Sequence, residues 1–105
     1  MQGYRFPKYA LTSELTKEDL CTKLDEEVAE AKDAIMRYDD SRNRLEMLME
    51  VCDVIHVCET ILQRFDVNYT ELNDAVTFVT LKNRLRGYYA EDTRSNNAKN
   101  SVQRY

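Results

Sequence analysis

Glycine and proline are nearly missing, with two Gly and one Pro in 105 residues. So little turn chemistry speaks against a sandwich or barrel of many short strands. Long hydrophobic runs are missing too, and no stretch offers the ~18 uninterrupted apolar residues that a membrane span needs. The N-terminus has no apolar run, and cysteine numbers three, an odd count; together these point to a reducing interior and away from secretion. Charge of a single sign is also lacking. Charged residues make up 32% of the chain, mixed in sign, with a formal net charge of -4. That balance disfavours attachment to nucleic acid by bulk charge, although it leaves local basic patches open. What remains is 43% hydrophobic residues, enough for one domain that buries roughly two thirds of its unfolded surface. The expectation is a small, soluble, cytoplasmic and mostly helical domain.

Residues 1–12 carry the only Pro and three aromatics, which reads as an irregular arm, 1–15 in all, able to pack on the body. Thr16 followed three residues later by Asp19 resembles a capping box and predicts a helix from about 17 to 37. The polar segment Tyr38–Arg44 ends it, and a second helix follows from about 43 to 65. Asp66–Thr70 reads as a connector with Thr70 as the next N-cap. A third helix spans about 71–86, with Gly87 where a glycine commonly ends a helix. The domain is therefore drawn as 1–90, followed by a polar tail, 91–105, that is frayed or docked on a partner. The chain contains no internal repeat and no low-complexity tract.

Helical wheels give the first functional signal. With Leu20 at zero and 100° per residue, Leu24, Val28, Ala31 and Ile35 fall between about 20° and 80°. Glu27 falls at about -20°, inside that apolar stripe, and Glu30 at about -80°, on its edge. A carboxylate on a buried face is costly unless something positive meets it. Glu26 and Asp33 point away and need only solvent. The second helix has apolar residues on every side of its wheel, which predicts burial around nearly its whole circumference. Glu46, Glu50 and Asp53 share one stripe of it. At an effective dielectric of about 20, two unit charges 4 Å apart repel by about 4 kcal/mol. Either their pKa values rise or a cation compensates.

An antiparallel pairing of these two helices brings Glu27 and Glu30 opposite Glu50 and Asp53. Each pair is spaced i, i+3, which sets two carboxylates on one face about a turn apart. Four hard oxygen ligands suit Mg²⁺, or Mn²⁺, and not zinc, which prefers His and Cys. Mg²⁺ held by carboxylates with water left in its shell is the usual partner of phosphate substrates.

Glu26-Glu27-Val28-Ala29-Glu30, nineteen intervening residues, then Glu50-Val51-Cys52-Asp53 resembles the EExxE…ExxD signature of MazG-like all-α nucleoside triphosphate pyrophosphohydrolases. Asn83-Arg84-Leu85-Arg86 resembles the NxxR element of that family, and the resemblance covers roughly residues 17–90. It implies an all-α fold, a small bundle of antiparallel helix pairs completed by oligomerisation into a homodimer or homotetramer. It also implies Mg²⁺-dependent cleavage of a (d)NTP or related nucleotide between the α and β phosphates, giving a monophosphate and pyrophosphate. Carried over residue by residue, Glu27, Glu30, Glu50 and Asp53 hold the metal, and Glu27 or Glu30 orients or deprotonates the attacking water. Asn83 and Arg86 contact substrate. The Lys that many relatives carry one turn before the Asn is Val79 here; Lys82 is a substitute that points about 100° away.

Each feature has a plainer reading. Glu27 and Glu30 could form a solvated face, and Glu50 and Asp53 could pair with Arg42 or Arg44. Glu46, outside the motif, fits a structural role. Asn83 and Arg86 could be favourable groups at a helix C-terminus. His56 reads as a packed or hydrogen-bonded histidine in preference to a ligand, and Cys52, Cys58, Met47 and Met49 read as core. Tyr88, Tyr89 and the aromatic arm fit packing of a terminus better than stacking on a base. Two competing functions stand beside the hydrolase. One is a non-catalytic nucleotide- and metal-binding oligomer acting as a regulatory or scaffolding module. The other is a di-iron carboxylate bundle, suggested by Asp53 and His56 but short of histidines.

Overall fold

The computed structural model describes residues 3–40 and 42–90. It consists of a 3₁₀ turn, Thr12–Glu14, followed by α1 (Lys17–Arg37), α2 (Arg44–Arg64) and α3 (Tyr69–Leu85). Among the described residues there is no β-strand, only an isolated bridge between Asp39 and Arg42, so the chain is all-α. The chain divides into two compact units, Met1–Val67 and Asn68–Tyr105. The expected polar tail, 91–105, lies outside the described residues.

In the first unit α1 starts where its capping signal stands. Thr16 Oγ1 accepts from the Asp19 amide at 3.0 Å and the Asp19 carboxylate accepts from the Thr16 amide at 2.9 Å. Together these satisfy two of the donors a helix start leaves free. The α1–α2 connector is organised by Asn43, whose left-handed backbone (φ 48°) suits Asn better than most residues. Its Oδ1 accepts from the Asp39 amide, and its Nδ2 donates to the Arg37 carbonyl. α1 and α2 then pack on each other, with Leu20, Ala31, Ala34 and Val57 buried. Arg64 Nε donates to the Leu15 carbonyl at 2.6 Å and ties the end of α2 to the start of α1.

Three expectations are corrected. α2 is not buried around its circumference: Leu45 is 70% and Met49 58% exposed, and Cys52 and Cys58 are exposed. Within its unit α2 is flanked by α1 and the 3₁₀ turn, too little structure to cover every side. Ile35, on the apolar stripe of α1, is likewise 52% exposed. The N-cap of α3 is Asn68, not Thr70; Asn68 Oδ1 accepts from the Glu71 amide, and Glu71 returns the bond to the Asn68 amide. A complete capping box at 68–71 outcompetes the lone threonine inside it.

α2 and α3 end alike. The Asp66 and Val67 amides donate to the Gln63 and Leu62 carbonyls, and the Gly87 and Tyr88 amides to those of Arg84 and Asn83, the paired bonds of a Schellman motif. Gly87 takes the left-handed position at φ 76° without strain, whereas α2 places Asp66 there at φ 56°. In the second unit, Asn83 Nδ2 also donates to the Tyr89 hydroxyl at 3.4 Å.

Candidate functional site

The pairing of α1 with α2 brings acids from both helices together. Glu27, Glu50 and Asp53 each offer a carboxylate oxygen, and these oxygens lie within 4.8 Å of one another. Glu27 and Glu50 are half-buried; Asp53 and Glu30 are exposed. Glu30 stands outside that close group, although its charge acts on both Glu27 and Glu50. Burial pushes the Glu27 carboxyl above its usual range, and the charges of Glu30 and Asp53 push it further while Lys23 works against them. Burial likewise raises Glu50, followed by the charges of Glu30, Asp53 and Glu27. Glu27 Oε1 and Glu50 Oε1 are buried without a hydrogen-bond partner. Buried acceptors of this kind are ordinarily satisfied.

The donor set fits a hard divalent cation. It is all oxygen, which suits Mg²⁺ or Mn²⁺, and among the described residues no His or Cys joins it. Oxygens bound to one Mg²⁺ at about 2.1 Å stand at most about 4.2 Å apart, so a small closure of the present spacing suffices. Among the described residues, no ion pair joins Glu50 or Asp53 to Arg42 or Arg44, the plainer reading of these two acids. Arg44 donates to the Tyr38 hydroxyl. Glu46 has the structural role expected of it, accepting from Arg37, which also pairs with Asp33.

Beside the acids lies a cavity of about 100 Å³ whose lining includes Tyr9, Lys23, Glu27, Asp53 and His56. The arm closes one side of it. Glu59, only 8% exposed, accepts from the Arg5 amide with both carboxylate oxygens at 3.0 Å and from the Phe6 amide at 3.0 Å. Phe6 stacks on His56 with ring centroids 4.6 Å apart, and Tyr9 tilts onto the same ring at 5.2 Å. His56 is thus a packed histidine, as anticipated, with Nε2 buried and unpartnered. Sequence reasoning passed over Glu59 and Lys23. The one available signal for Glu59 was its place off the acidic stripe, on the apolar side of α2.

Lys82, Asn83 and Arg86 lie on the last turn of α3 and at its C-cap, in the second unit. Comparison with known proteins adds one match. Residues 4–78 match the phosphoribosyl-ATP pyrophosphohydrolase family. The chain belongs to that family. It is a MazG-like, all-α family of pyrophosphohydrolase type, so the expected resemblance holds and the chain has a nucleotide pyrophosphohydrolase-type role. The match includes the arm from residue 4 onward and Glu27, Glu30, Glu50 and Asp53, and ends before Lys82, Asn83 and Arg86. No curated protein and no solved structure is similar enough to add a second comparison. Among the described residues, no helix is long and apolar enough to cross a membrane.

Proposed function

We propose that the protein hydrolyses the α–β phosphoanhydride of a nucleotide triphosphate group, with Mg²⁺ held by Glu27, Glu50 and Asp53 and with Glu30 beside them. The family's description favours phosphoribosyl-ATP, a nucleotide carrying the same triphosphate, over (d)NTPs in general as the substrate. The observation that carries this reading is the cluster of carboxylates from two helices, two of which, Glu27 and Glu50, each carry a buried and unpartnered oxygen. A bound cation would neutralise phosphate charge and lower the pKa of a coordinated water.

The residues themselves supply position and proton handling. α1 and α2 hold the carboxylates in register before substrate arrives, so little reorganisation accompanies the reaction. Glu27 and Glu30, on the α1 side, are the candidates to accept the proton of the attacking water. Burial, and then the charges of Glu30 and Asp53, raise the affinity of Glu27 for a proton, which suits a group that accepts one from water. The water attacks one phosphorus of the α–β bridge, the bridging P–O bond breaks, and pyrophosphate and a monophosphate leave. Asn83 and Arg86, with Lys82, are substrate-binding candidates because amide and cationic donors suit phosphate oxygens. The exposed apolar residues Leu45 and Met49 of α2 and Met36 of α1 favour a homodimer or homotetramer that covers them.

The test is pyrophosphate release from phosphoribosyl-ATP and a panel of canonical (d)NTPs, with and without Mg²⁺, using Asp53→Asn as control. Metal-dependent release, lowered at least ~100-fold in the variant while its circular dichroism is unchanged, is the expected result. Release by Asp53→Asn at the wild-type rate would refute the metal assignment. Nucleotide binding without release across the panel would favour the non-catalytic module.

A further inference from the structure

Lys23 lines the cavity beside the acids and has no role in the proposal above. It sits on α1, one turn before Glu27, and its Nζ lies over the Tyr9 ring, 5.9 Å from the centroid. Its charge reaches Glu27, lowering the pKa that the other acids raise. Yet among the described residues it forms no ion pair with any carboxylate. Lys23 is therefore a half-buried ammonium at the rim of an acidic cluster, held by an aromatic face and not by an anion. The cavity it lines with Glu27, Asp53 and His56 is about 100 Å³, well below the roughly 300–1,000 Å³ of a pocket for a whole ligand. It suits one group of a substrate.

We propose that Lys23 is a phosphate-binding residue: its ammonium takes a phosphoryl oxygen of the substrate in the cavity beside Glu27 and Asp53, with Tyr9 fixing the direction of the lysine. This rests on the reading of the acids as a divalent-cation site, since two carboxylates alone would repel a phosphate. With the cation in place the sign of the local charge reverses, and a phosphoryl group between cation and ammonium is attracted from both sides. The lysine supplies a point charge with rotatable donors, adapted to a phosphoryl group whose oxygens shift during reaction. Tyr9 contributes a cation–π contact that favours one rotamer of a flexible side chain. The Glu59 clamp on the Arg5 and Phe6 amides places the arm that carries Tyr9.

The experiment is a pair of titrations on the full chain and on Lys23→Gln and Lys23→Arg: Mn²⁺ into metal-free protein, then pyrophosphate into Mn²⁺-loaded protein, followed by KM and kcat for nucleotide. Removing a positive charge near a cation site should leave Mn²⁺ binding unchanged or up to a few-fold tighter. The same change should weaken pyrophosphate binding and raise KM by roughly tenfold. These opposite directions separate a phosphate contact from a general loss of structure, which would weaken both. Lys23→Arg, which keeps the charge, should return pyrophosphate affinity to within about threefold of wild type. Pyrophosphate affinity unchanged in Lys23→Gln overturns the assignment, as does a parallel loss of Mn²⁺ affinity. Wild-type protein that binds Mn²⁺ and pyrophosphate but hydrolyses no nucleotide would sink the pyrophosphohydrolase reading. The Lys23 assignment would then still be decided by the two titrations. Failure of wild-type protein to bind Mn²⁺ or pyrophosphate overturns both.

Discussion

Glu59→Ala should detach the arm, and the size of the effect follows from what the carboxylate holds. Two backbone amides, Arg5 and Phe6, make three contacts of 3.0 Å to it. A hydrogen bond to a charged group contributes about 1.5–3 kcal/mol net, so the two amides together set a ceiling of about 3–6 kcal/mol. The full ceiling is not reached, because the arm can lift and give its amides to water. What is then lost is the docking free energy of the arm, including the Phe6–His56 stack, for which about 0.5–1.5 kcal/mol is typical beyond area burial. We expect a loss of about 2 kcal/mol in unfolding free energy, or roughly 8–16 °C in Tm for a unit of this size.

Glu59→Gln keeps one oxygen that can accept from both amides, as Oε1 does now, so it should cost about half as much. Hydrogen exchange at the Arg5 and Phe6 amides reads the local event, and thermal unfolding reads the global one. Because Tyr9 rides on the arm, Glu59→Gln should also raise KM for nucleotide while Mn²⁺ affinity is unchanged. Undiminished protection at both amides in Glu59→Ala, with Tm moved by less than about 2 °C, would refute this account of the clamp.

Three further outcomes follow from other parts of the chain. The folded-state pKa values of Glu27 and Glu50 stand above the ordinary 4.5, so their contribution to stability is complete below that value and is lost as pH rises through the raised values. Metal-free protein should therefore lose Tm over that window relative to a Glu27→Gln/Glu50→Gln variant, and Mg²⁺ should restore more of it as pH increases; equal pH dependence in both proteins would contradict the cluster. Asp66→Gly should stabilise by about 0.5–1 kcal/mol, since Asp66 sits at φ 56° where glycine has no steric penalty; chemical denaturation showing a loss would show that the Asp side chain matters more than its backbone. Arg37→Gln should change stability by less than about 0.5 kcal/mol despite two ion pairs, because its side chain is 47% exposed; a loss above about 1.5 kcal/mol would give those pairs a structural role.

How much of this was legible in the sequence depends on the range of the interaction. The first helix was placed at its observed bounds because its start is encoded three residues apart, Thr16 against Asp19, and its end in one polar segment. The start of α3 was misplaced by two residues for the same kind of reason: two caps compete locally, and the complete box at Asn68 and Glu71 wins. Glu27 announced itself because a wheel position is also a local property. Glu59 did not, because its partners are the amides of Arg5 and Phe6, more than fifty residues away, and a backbone amide leaves no mark in a sequence. Lys23 was invisible for a related reason, since its neighbours in the cavity come from α2 and the arm. The all-round apolar pattern of α2 was read as burial. An apolar residue states only that cover is favourable, and Leu45, Met49 and Cys52 remain exposed in this chain.

The site joins two arrangements that respond to different conditions. Burial first, and then the charges of their neighbours, work against the ionised forms of Glu27 and Glu50 while no cation is present. The fold must therefore hold them together with interactions that do not depend on metal. Those interactions surround the cluster: the Thr16 box and the Arg64–Leu15 bond at one end of the helix pair, the Asn43 turn at the other, and the Glu59 clamp on the arm. Each of them satisfies backbone groups, which neither titrate nor bind a divalent cation. Metal affinity and scaffold stability should thus be separable by mutation. Changes at Glu27, Glu50 or Asp53 should remove cation binding and leave or raise the stability of metal-free protein, whereas changes at Glu59 or Asn43 should lower stability and leave cation affinity intact. A cluster that was only a solvated acidic seam would show no such division, because no cation would distinguish the first set from any other surface carboxylate.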